Sequence, residues 1–123
     1  MADELTLGGL TVAFAKSGSP SVSLTAGTLT IDVSGAQVMD NVQNVGTSEE
    51  AILLGDVAAG GYWFVQNLDA TNFVELRSGT GATDFIKLLA GEWAIFRTSA
   101  DATAPYAIAD TGACNVRFVR FDL

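Results

Sequence analysis

The residues able to do chemistry are few, and their spacing limits what that chemistry is. Asp69 and Asn72 lie three apart in LDATN (68–72). They offer side-chain oxygens, but a calcium loop needs more carboxylates at regular spacing. Asp and Asn also suit tight turns, because they bond to nearby backbone and tolerate left-handed conformation, so a turn is expected. SGTGATD (78–84) carries Gly79 and Gly81 but lacks the Lys-Ser/Thr pair and the helix of a phosphate loop, so it reads as a hairpin turn. Glu49 and Glu50 are neighbours, and on a strand neighbours face opposite sides. Asp32 and Asp40 could meet across a hairpin, with nothing nearby to raise one pKa selectively. Glu75 and Arg77, two apart on one strand face, suit a weak surface ion pair with each other or with a cross-strand partner.

The sequence has no histidine and one cysteine, Cys114. Neither an intrachain disulfide nor a Ser-His or Cys-His pair can form. No catalytic residue, no cofactor and no metal ligand is assigned. Four aromatics remain. Trp63, Trp93 and Tyr106, with Tyr62, could stack on a sugar ring, although strands this apolar favour placing them in a core or subunit interface.

The elements that position these residues are β-strands. Short runs rich in Val, Ile, Thr, Phe and Trp recur about every ten residues, punctuated by Gly, Ser, Asp and Asn. Strands are predicted at 10–14, 22–25, 28–33, 37–45, 51–55, 62–68, 73–77, 85–89, 92–97, 106–109 and 115–122. TSEEAILLG (47–55) has a capping pattern for one short helix, but a strand fits its surroundings better. The expected fold is an all-β sandwich of about 8–10 short antiparallel strands. The 123 residues suffice for one domain, with 1–35, richer in Gly, Ser and Thr, as an arm or edge hairpin.

Net charge is −8, which argues against nucleic acid as a partner. The first 60 residues hold Lys16 against seven acids, and the remainder five basic residues against seven acids. The acidic half suits solubility more simply than the steering of a basic partner. The longest apolar runs, AILL (51–54) and YWFV (62–65), are too short to span a membrane as a helix. The opening MADELTLGG lacks the pattern of a secretory signal, so folding in a cytoplasm is expected.

Two stretches are apolar on both faces. In YWFV, Tyr62 and Phe64 point one way and Trp63 and Val65 the other. In NVRFVRFDL (115–123), Val116 and Phe118 oppose Val119, Phe121 and Leu123, with Arg117 and Arg120 interleaved. One small sandwich cannot hide that much apolar surface, so a homo-oligomer is expected, with Trp63, Val65, Val119 and Phe121 at its interface.

NVGTSEEAILLGDVAAGGYWFVQNLDATNFVELRSG, KLLAGEWAIFR and APYAIADTGACNVRFVRF together resemble small virion proteins of tailed bacteriophages, over residues 42–121. The resemblance implies a jelly-roll-like sandwich, commonly trimeric, assembled in the host cytoplasm and mounted on the virion. It implies a capsid decoration (cement) protein that bridges major capsid subunits, its Gly/Ser/Thr-rich arm ordering on a neighbour. The alternative it leaves open is a head-fibre or tail-associated module that touches host glycan through Trp63, Trp93 or Tyr106.

Overall fold

The computed structural model describes residues 4–33, 35, 37–55, 57, 61–99 and 104–122. The chain is all-β and divides into two units, residues 1–34 and 35–123.

The first unit is an antiparallel ribbon. β1 (Glu4–Leu7) pairs with β4 (Leu29–Asp32), and β2 (Leu10–Phe14) pairs with β3 (Val22–Ala26). The register is continuous from one pair to the next: Leu7 faces Leu29, and Leu10 faces Ala26. The two pairs are thus segments of one long hairpin, interrupted where Gly8 and Gly9 lie opposite Gly27 and Thr28. Directly opposed residues share a face. Leu10, Val12 and Phe14 therefore line up with Ala26, Leu24 and Val22 on one side, with Thr11, Ala13, Ser23 and Thr25 on the other. In the outer segment the apolar residues are the odd-numbered Leu5, Leu7, Leu29 and Ile31. The apolar set changes parity across the interruption, which on an unbroken ribbon would put it on the opposite face.

The second unit is a two-sheet sandwich of eight strands: β5 (Val38–Val45), β6 (Glu50–Ala51), β7 (Gly61–Asn67), β8 (Val74–Arg77), β9 (Asp84–Leu88), β10 (Trp93–Thr98), β11 (Tyr106–Ala109) and β12 (Cys114–Phe121). One sheet has the order β10-β7-β12-β5, the other β6-β11-β8-β9, and all pairings are antiparallel. Four of the pairings are nested. β8 pairs with β9, β7 with β10, β6 with β11, and β5 with β12, as in a long hairpin rolled up on itself.

Alternation builds the core. β7 is buried at every odd position and part-exposed at every even one from Gly61 to Asn67. Trp63, Val65, Val116, Phe118 and Val45 from one sheet form a single cluster with Val74, Leu76, Leu88, Ala107 and Ala109 from the other. Trp63 is its centre. It stacks on Phe96 at 6.0 Å between ring centroids and meets Phe118 edge-on at 6.5 Å. Full burial of side chains this large contributes about 2–3 kcal/mol each. Arg120 is fully buried beside them, its guanidinium 4.0 Å from the Trp63 ring and donating to the Val57 carbonyl at 3.2 Å. Gly61 closes this end with φ at 131°, and a Cβ there would collide with the Phe121 carbonyl.

Two buried amides tie the sheets together. Asn67, at the end of β7, donates to the carbonyls of Asn72 and Leu88 at 2.9 and 3.1 Å and accepts from the Asp69 N–H. Gln43, on β5, donates to the Ala51 carbonyl at 3.0 Å and accepts from the Leu53 N–H at 3.0 Å. That contact corrects the expected 51–55 strand. Ile52 still donates in register to the Pro105 carbonyl, but Pro105 has no N–H to return the bond, and Leu53 bonds to the Gln43 side chain, so the ladder stops after Ala51.

Candidate functional site

The outward side of the β10-β7-β12-β5 sheet is built from the residues that alternate with the core. Register sets them in rows: Trp93–Gln66–Arg117–Val42, then Ile95–Phe64–Val119–Asp40, then Arg97–Tyr62–Phe121–Val38. Eight of these twelve positions are apolar or aromatic. Val38 is 63% exposed, Val42 50%, Trp93 48% and Ile95 41%. Phe64 and Trp93 form a tilted aromatic pair with centroids 6.1 Å apart. Arg117 lies within the face, clamped by Asp40 through two hydrogen bonds of 2.6 and 2.9 Å. The Arg117 hydrogen bonds hold the Asp40 carboxyl below its ordinary range, and Asp40 in turn raises the Arg117 pKa. The face therefore carries its central charge already neutralised.

The opposite outward side, on β6-β11-β8-β9, is charged. Ile108–Glu75–Lys87 and Tyr106–Arg77–Asp84 stand in register. Arg77 bonds to Asp84 and, at 2.6 Å, to Glu49. Of the two partnerships left open for Arg77, it takes the cross-strand one, with Asp84, and adds Glu49 rather than Glu75. Glu49 also accepts from the Thr80 hydroxyl at 2.6 Å and from the Gly81 N–H at 2.9 Å. Thr80, then Arg77, then Gly81 pull its pKa down to about 2. SGTGATD is a turn that cradles an anion, and the anion is the chain's own Glu49 carboxylate. Gly81, with φ at 67°, aims its N–H there.

LDATN is also occupied by its own backbone. The Asp69 carboxylate accepts from the Asn72 and Thr71 N–H groups at 2.6 and 2.9 Å, which lowers its pKa. Cys114 is buried, and burial pushes its thiol pKa up. Asp32 stands in register with Glu4, whereas Asp40 is bound to Arg117. Among the described residues no three His, Cys, Asp or Glu side chains gather as a metal-binding group. No described helix is long and apolar enough to cross a membrane.

A cleft of about 250 Å³ opens at the edge where β9 and β10 lie on the same side of the sandwich. Leu76, Ile86, Phe96 and Phe85 line it, with Arg97 among its polar residues. A register shift in the β8–β9 pair leaves Phe85 outside the ladder and 86% exposed.

The structure separates the residues that sequence reasoning had grouped. Of the expected interface set, Val119 and Phe121 lie on the outward apolar face, but Trp63 and Val65 are in the core at 1% and 0% exposure. Both faces of YWFV are apolar, and the side that turns outward is the one carrying Tyr62 and Phe64. The glycan set is divided three ways. Trp63 is buried, Trp93 stands on one outward face and Tyr106 on the other, so one sugar ring cannot touch all three. Ile95, Phe64, Val38 and Val42 were missed as surface residues. The signal for Ile95 was there in EWAIFR, where Trp93 and Ile95 share a parity. No family model, no curated protein and no solved structure matches the chain.

Proposed function

We propose that this chain is a self-assembling structural protein of a tailed-bacteriophage virion: a capsid decoration protein that stabilises the head as a trimer bridging major capsid subunits. The observation that carries the reading is the outward face of β10-β7-β12-β5, aromatic and aliphatic in three registered rows with its one central ion pair internally neutralised. Exposed sheet faces of this composition mark protein–protein contacts. Subunits that cover them on one another make a rigid oligomer, and modest contacts repeated over a shell add through multivalency. The resemblance of residues 42–121 to phage virion proteins supplies the setting. The nested strand pairing supports a jelly-roll topology, the form that resemblance implies.

Mass photometry of the purified protein is expected to give a trimer. Cryo-electron microscopy of particles carrying it should show density for this fold at three-fold or quasi-three-fold positions of the shell. A monomeric protein that fails to coat capsids would sink the proposal.

A further inference from the structure

We infer that the hairpin arm of one copy docks through β2 and β3 on the outward β10-β7-β12-β5 face of a second copy. This rests on the assembly reading above and adds which segment meets which. On the arm, Leu10, Val12, Phe14, Val22 and Leu24 share one face with Ala26, and those five are each 40–49% exposed. A two-stranded ribbon is marginal in water and gains stability only when its apolar face packs on another layer. The sheet face of the sandwich is the complementary half, apolar and exposed.

Charge and size agree. Between Leu5 and Ile31 the only charged residue is Lys16, beyond the strands in the turn. The receiving face presents Arg117 already bonded to Asp40, and its other cation, Arg97, stands on the sheet's edge strand β10, where its head can stay in water. Five-residue strands run about 17 Å, and four strands at their usual spacing span about 14 Å between outer axes. The ribbon is long enough to lie across the whole sheet, as packed sheets do. A second copy is the occupant because each chain carries one arm face and one sheet face. Exchange between copies covers both at every subunit, in a head-to-tail contact that makes a ring when its rotation closes. An unrelated partner on the sheet would leave the arm bare, and arm–arm stacking would leave the sheet bare.

The test uses full-length chains carrying either Val12→Cys or Ile95→Cys, differently tagged, co-expressed and mildly oxidised. Cys114 is buried and serves as a silent background. Peptide mass spectrometry is expected to find the 12–95 disulfide between chains in large excess over 12–12 and 95–95 links. An oligomer with only the like-to-like links, or with none, overturns arm-on-sheet docking and leaves the assembly reading standing. A monomer by light scattering overturns both. Val12→Lys gives an independent readout on an exposed residue: loss of the oligomer with an unchanged circular-dichroism spectrum supports docking, and an unchanged mass refutes it.

Discussion

On one outward side of the sandwich the registered rows read Trp93–Gln66–Arg117–Val42, Ile95–Phe64–Val119–Asp40 and Arg97–Tyr62–Phe121–Val38. On the other they read Ile108–Glu75–Lys87 and Tyr106–Arg77–Asp84. Both sheets alternate inward and outward residues in the same way, and both contribute to one core. Their outward residues differ in kind. The charged side satisfies itself with Arg77, Glu49, Asp84, Thr80 and the Lys87 ammonium 3.8 Å over the Phe73 ring. Water serves such a surface well. The apolar side gains nothing from water and is stabilised by whatever cover removes it from water. Fold therefore leaves open which side is used, and the outward half of each alternation decides it.

The largest test of this contrast separates inside from outside on the apolar sheet. Trp63 and Trp93 are the same residue type on adjacent strands, one at 1% and the other at 48% exposure. Trp63→Ala should cost about 3–5 kcal/mol of unfolding free energy, because it opens the core and removes the ring beneath Arg120. Trp93→Ala should cost about 1 kcal/mol, the scale of one exposed aromatic pair. Guanidinium denaturation of both, in an Ile95→Glu background that removes any contribution from assembly, would measure the difference. Equal losses would break the assignment of the two tryptophans.

Next in size is the comparison of the two outward sides themselves. Ile95→Glu places a carboxylate in the proposed interface and should weaken association by about 3 kcal/mol or more, over 100-fold in dissociation constant. Ile108→Glu places the same group on the charged side and should leave the mass unchanged. Light scattering across a dilution series reads both. If Ile108→Glu disperses the oligomer and Ile95→Glu does not, the faces have been assigned the wrong way round.

A smaller effect is expected at Gln43, which ties the two sheets at the β5–β6 edge. Gln43→Ala leaves the Leu53 N–H and the Ala51 carbonyl without their partner and should cost about 1–3 kcal/mol in thermal or chemical unfolding. The same residue shows where sequence reasoning stops. The alternation of GYWFVQN and the Gly-Ser-Asn-Asp punctuation made most strands legible. A strand over AILLG did not form past Ala51, because Pro105 opposite Ile52 has no N–H to return its bond and Gln43 takes the Leu53 N–H, and only folding sets those residues beside the segment. ELTL was missed since its partner LTID lies far along the chain and glycines follow it. In YWFV the period was plain, but with both parities apolar the sequence held nothing to choose the inward one. Arg120 was read only as an interleaved charge, and its burial depends on the Trp63 ring and the Val57 carbonyl, both brought near only by folding.

The smallest effect lies wholly on the charged side and is lost in acid. Glu49 is held at a pKa of about 2 against an ordinary 4.5, so folding favours its ionised form. Its contribution is complete above pH 4.5 and is lost as pH falls from there toward 2. Asp40 and Asp69 are also lowered, so Glu49→Gln should reduce the acid slope of stability without abolishing it. Melting temperatures of wild type and variant should differ most above pH 4.5 and converge near pH 2. Because Glu49 bonds to Arg77, Thr80 and Gly81, none of them on the apolar sheet, the variant should assemble like wild type at neutral pH. A change in mass from this substitution alone would mean that the charged side also takes part in assembly, and the division of labour between the two faces would have to be given up.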